Sequence, residues 1–184
     1  VNAKKTNFQH VNFNKANLRN ANLVKADFMG SDLEEVDLSH ADLTNANLLW
    51  ADLSHAKFEN AVLDKVKGAN YIRAIGNDLK IEAYKKLIQD IEKWNIWRDA
   101  NPNHEIDLSG TDFTGINLKN ANLNSINFSE AIFIKTDLSG ADLQFAKLNN
   151  ADFSGALLVK ANLSDSDLTK AKFNQAILSN AKLD

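Results

Sequence analysis

"ADLTNANLLWADLSHAKFENAVLDKVKG", residues 41–68, holds both the rule of this chain and its first exception. Leu43, Leu48, Leu53, Phe58 and Leu63 fall at every fifth position, and at residue 68 the beat lands on glycine. Outward from this stretch, one block of such centres runs from Phe8 to Leu63 and a second from Leu108 to Leu183. These are 12 and 16 positions, all Leu or Phe, and 18 of the 28 have Ala two residues earlier. The residue between is mostly Asn or Asp. An internal repeat of this kind decides the architecture before any propensity argument.

A period of five suits neither standard element. On an α-helix, steps of five wind the leucines around the cylinder, and on a straight strand they alternate faces. A short extended piece followed by a bend reconciles it. The Ala and Leu of each pentad then point inward, Asn/Asp points outward, and the next two residues turn the corner. Ser, Asn and Gly, frequent there, suit corners because they bond locally or tolerate unusual dihedrals.

The A-(D/N)-L-x-x tandem, as in "ANLRN", "ADLTN" and "ADLSG", resembles the pentapeptide repeat proteins. The resemblance implies an all-β solenoid: a right-handed quadrilateral β-helix of about seven coils, interrupted by an α-helical insertion. With four pentads per coil, residues twenty apart stack. Phe113, Phe133, Phe153 and Phe173 then form an aromatic ladder at about 4.8 Å spacing, beside a column of Leu123, Leu143, Leu163 and Leu183.

The break has its own logic. Leu63 to Leu108 is 45 residues, so removing forty makes Leu108 the next side after Leu63 and keeps every column in register. The expected organisation is one β-helix made of residues 1–66 and 106–184, with 67–105 looped out. The insert reads as helical. Asn77 or Asp78 caps a helix whose apolar stripe is Ile81, Tyr84, Leu87, Ile88, Ile91 and Trp94. Lys80, Lys85, Lys86 and Lys93 lie on its polar side, with Glu82 and Lys86 as an i,i+4 pair. "NPNHE" at 101–105 ends it, and "NYIRAI" before Gly76 reads as a short first helix. The stripe either packs on the β-helix, with outward-facing Met29, Leu49 and Trp50 as its dock, or waits for a partner. Trp97, off the stripe, is expected to stay exposed.

Composition bounds the function. The chain has 184 residues, net charge −3, one proline and no cysteine, so disulfide and thiolate chemistry are absent. No apolar run reaches the length of a membrane span and no leader is visible, so a soluble protein without membrane insertion is expected. The start at Val1 rather than Met reads as a processed or cut beginning. His10, His40, His55 and His104 do not share a side, and the Asp/Asn rows read as a solvated polar face. No phosphate loop, zinc spacing or nucleophile–base pair is visible, so no enzyme, metal or cofactor is expected.

The leading function is therefore a non-enzymatic structural or protein-interaction scaffold for an unidentified protein partner. Its candidate contact residues are Tyr84, Trp94, Trp97, Met29, Leu49 and Trp50. The last pentad, "AKLD", stops without a polar cap, which makes the C-terminal coil a candidate dimer surface. The alternative comes from the resemblance: some quinolone-resistance members mimic duplex DNA and bind gyrase. Mimicry needs strong negative charge, and the repeats carry 18 acidic against 14 basic residues. That balance also gives no case for nucleic-acid binding. The family is rich in cyanobacteria, in cytoplasm, periplasm and thylakoid lumen alike.

Overall fold

Every pentad ends in a corner of one kind. In a computed structural model, which describes residues 1–69 and 79–184, the N–H two residues before a centre bonds back to the preceding centre's carbonyl, as Ala16 does to Phe13 at 2.8 Å. The fifth residue has positive φ: 61° at Lys15, 61° at His40, 59° at Asn180. An i→i+3 bond with φ > 0 at the third turn residue defines a type II turn. The preference for Asn/Asp before each centre follows from this corner. Its side-chain oxygen accepts the N–H two residues on, as Asn12 does from Asn14 at 2.8 Å and Asp152 from Ser154 at 2.9 Å. That bond satisfies a donor that the turn leaves without a main-chain partner.

Between corners the extended pieces pair in parallel with the piece twenty residues on, from Asn2↔Asn22 to Asn47↔Lys67 and from Asp107↔Asn127 to Asn162↔Lys182. A corner every five residues and a repeat of twenty give four sides per coil. The centres and most of the alanines behind them lie inside, nearly all at 0–1 % exposure through the middle coils. Where a hydroxyl replaces Ala, Ser31 donates to the Phe8 carbonyl and Thr136 to that of Phe113, each at 2.7 Å, whereas the buried Thr111 hydroxyl has no hydrogen-bond partner among the described residues.

Two compact units are present: residues 1–84 with 110–112, and residues 85–109 with 113–184. In the first, Phe8 and Phe28 stack at 5.0 Å, with Phe13 edge-on to both. There the chain returns beside the point it left. Gly68 N–H donates to Gly110 at 2.5 Å, and Ala69 bridges Thr111. In the second unit the expected phenylalanine ladder is present, with centroid steps of 5.1, 4.9 and 4.9 Å and rings within 8° of parallel.

Between the repeat blocks lie two helices, α1 (Leu79–Gln89) and α2 (Ile91–Ala100). The apolar stripe from Ile81 to Trp94 predicts one continuous helix there, and the structure corrects it to two. Asp90 leaves helical geometry at φ −159°, ψ 102°, and its carboxylate accepts from Lys93 N–H as an N-cap. Asp competes for the backbone in this way wherever neighbouring packing allows a new start. Of the stripe, Ile81, Tyr84, Leu87 and Trp94 are fully buried. The expected cap at Asn77 or Asp78 and the "NYIRAI" helix lie outside the described residues.

Candidate interaction surface

What α2 packs on explains why it is there. In a regular coil the side carries main-chain bonds along its free edge: Asn22 O accepts from Ala3, Val24 O from Lys5, and Asn22 N donates to Val1 O. The equivalent atoms at Asn122 and Asn124 would need a strand at residues 101–105, where this chain instead ends α2. Side chains of α2 take the missing places. Trp94 Nε1 donates to Asn122 O at 2.8 Å and Arg98 Nη2 to Asn124 O at 2.7 Å. Asn95 Oδ1 accepts from Asn122 N at 2.8 Å while its Nδ2 donates to Asn120 O at 2.9 Å. Asp99 receives the Asn122 amide at 3.1 Å. An exposed sheet edge is a liability, and a covering helix is one remedy.

Arg98 lies inside this contact, with a second bond to His104 O at 3.3 Å and its Nε buried without a partner. Burial lowers its pKa, and neighbouring Asp99 counters that in part. In the first unit, Tyr84 donates to the Asp112 carbonyl at 3.2 Å. Its burial, and then the Asp112 charge, push the phenol well above its ordinary pKa.

The six candidate contact residues therefore divide. Tyr84 and Trp94 are fully buried, with their polar atoms on the chain's own backbone, so they offer no surface. Trp97 is half-buried, between the Lys86 ammonium at 4.2 Å from its ring centroid and the His104 edge at 5.2 Å. Met29 and Leu49 are half-buried, and Trp50 is 71 % exposed. Sequence reasoning missed Ile96, 70 % exposed, because it followed the apolar stripe, and Ile96 lies about 200° round α2 from the buried Trp94. It also missed Asn95 and Arg98, whose roles depend on an edge that exists only after the coil has formed. Among the described residues no group of acids and histidines is arranged to hold a metal ion.

Two family models match the chain: a pentapeptide repeat region over residues 106–183, and pentapeptide repeats (8 copies) over 1–34 and 31–67. The chain belongs to the pentapeptide repeat family. This pentapeptide repeat protein accordingly has the family's right-handed quadrilateral β-helix, and the two matches leave 68–105, the segment that holds both helices, unmatched. It is similar to HetL of the cyanobacterium Nostoc sp. strain PCC 7120, a pentapeptide repeat protein involved in heterocyst differentiation regulation. The two are 27 % identical, covering 98 % of this chain and 76 % of that one, with a TM-score of 0.41. QnrB1, a plasmid-mediated fluoroquinolone resistance protein, is 18 % identical over 100 % of this chain and 84 % of its own, with a TM-score of 0.39. A thylakoid-lumen member from Arabidopsis thaliana is 18 % identical over 82 % and 66 %, with a TM-score of 0.35. No curated protein matches. No helix among the described residues is long and apolar enough to cross a membrane.

Proposed function

We propose that this pentapeptide repeat protein is a non-enzymatic scaffold that binds another protein through apolar side chains which the repeat itself does not require. The observation that carries the reading is Trp50. Its backbone has φ 59°, a conformation unfavourable for a bulky residue, and its ring is 71 % exposed. A residue there costs folding and solubility and contributes nothing to the core. Met29 and Leu49 occupy the neighbouring outward positions of the same unit. On α2 the outward counterpart is Ile96, 70 % exposed, so the helical insert keeps a contact role on the face turned away from the coil, with half-buried Trp97 at its margin. The DNA-mimic alternative gains no support from charge, since Lys15–Glu35, Arg19–Asp37 and Lys172–Asp152 pairs interrupt the acidic rows.

Affinity capture from native extract tests the reading with wild type, Trp50→Lys and Ile96→Lys. We expect at least one partner recovered by wild type to be lost with one variant while the fold is kept. Identical recovery by all three overturns it.

A further inference from the structure

Charge is distributed unevenly in the first unit. Residues 1–26 contain Lys4, Lys5, Lys15, Arg19 and Lys25 and no acid, whereas residues 27–64 contain nine acids and one basic residue, Lys57. Lys15 pairs with Glu35 at 3.8 Å and Arg19 with Asp37 at 3.2 Å. Lys4, Lys5 and Lys25 share one corner and are all exposed. Lys5 and Lys25 occupy the same corner position in consecutive coils, at φ 59° and 60°, and Lys65 follows at that corner two coils on. Ten residues round the coil, hence diagonally opposite, lie Glu34, Glu35 and the bridged pair Asp32↔Asp52, together with Lys15, the partner of Glu35, so this side carries four acids against one base.

Stacking like charges one strand apart, about 4.8 Å, is unfavourable on each face taken alone. The Lys5–Lys25 and Asp32–Asp52 columns have opposite sign and the same pitch, because both belong to one twenty-residue stack. We propose that they recognise each other between copies: the Lys4–Lys5–Lys25 corner of one molecule seats on the Asp32–Glu34–Glu35–Asp52 side of the next. The contact is heterologous, so it builds side-by-side rows rather than a closed two-fold pair. A long polyanion such as nucleic acid fits poorly, because beyond the corner it meets the acidic coils. A compact carboxylate face does not. The surface charges are screened by salt, so the association is weak and salt-sensitive.

Sedimentation velocity of the full chain over a concentration series, at low salt and at about 0.3 M salt, tests this. Two variants separate the faces: Lys5→Glu/Lys25→Glu makes both acidic, and Glu34→Lys/Glu35→Lys makes both basic. Glu and Lys each occur natively at this positive-φ corner position, as Glu35 and Glu130 beside Lys5 and Lys15, so the exchanges add no backbone strain. Wild type should associate at low salt and dissociate at high salt. Each variant alone should lose at least about tenfold in association constant, and an equimolar mixture of the two should regain it. A wild type monomeric at low salt, association indifferent to salt, a variant that associates like wild type, or a mixture that stays dissociated each overturns the proposal.

Discussion

The indole N–H of Trp94 donates to the main-chain oxygen of Asn122 at 2.8 Å, the place that a strand N–H occupies in every regular coil. A side chain thus completes a backbone ladder. Asn95 and Arg98 do the same on either side of it, so α2 closes the sheet edge that the interruption opens. The insert is in this respect part of the core of the second unit.

Removing that one bond should be measurable. Trp94→Phe keeps most of the buried ring but leaves the Asn122 carbonyl unpaired, which costs about 1–3 kcal/mol. Trp94→Ala adds a cavity and should cost about 3–5 kcal/mol. The urea midpoint of each variant checks the order. Equal midpoints for wild type and Trp94→Phe would show that water replaces the bond without loss.

The phenylalanine ladder tolerates shape change and not truncation. Phe133 has stacked neighbours on both sides, at 5.1 and 4.9 Å. Phe133→Leu should cost under about 1.5 kcal/mol, because Leu fills the same inward position elsewhere in the repeat. Phe133→Ala should cost about 3–5 kcal/mol. Thermal unfolding of the two variants distinguishes a packed column from a loosely filled one.

Gly110 and Gly115 both have positive φ, 66° and 69°, and should respond differently to alanine. A Cβ at Gly110 would overlap the Val66 carbonyl, where the returning chain passes, whereas one at Gly115 meets nothing within 4 Å. Gly115→Ala should therefore cost the backbone strain alone, about 1–2 kcal/mol, and Gly110→Ala clearly more. Chemical denaturation of both variants reads the difference.

Acid sensitivity should originate in the corner carboxylates. The Ser139 hydroxyl and N–H bonds lower the Asp137 pKa below its ordinary 3.8, and burial opposes them in part. At Asp37 burial is the largest influence and raises the pKa, yet the bonds from Ser39 and Arg19 together outweigh it and the pKa is lowered. A lowered folded pKa adds stability above the unfolded value and loses it as pH falls through the folded one, here below about pH 4. Asp137→Asn retains the accepting oxygen and does not titrate, so the variant should lose less stability than wild type between neutral pH and about pH 3. Denaturant midpoints at the two pH values check it.

Much of this was legible in the chain. Leu/Phe at every fifth position with Ala behind it leaves one consistent backbone, and the Phe113–Phe173 column follows from counting in twenties. The polar residue between them could be read as outward, but its bond to the corner N–H could not, because that depends on the turn type. The insert was legible as helical and apolar. Its break at Asp90 was not, since a capping side chain inside a good helical pattern acts only where packing favours a new start.

Local sequence determined the repeat, its sides and its buried columns, because a short period forces the same few dihedrals at every turn. Tertiary structure alone decided what Tyr84, Trp94, Asn95 and Arg98 do. Apart from the Arg98–His104 bond, their partners are backbone atoms of Asp112 and of residues 120–124, far along the chain. Those atoms become an open edge only when the coil has formed and the strand that would cover it is missing.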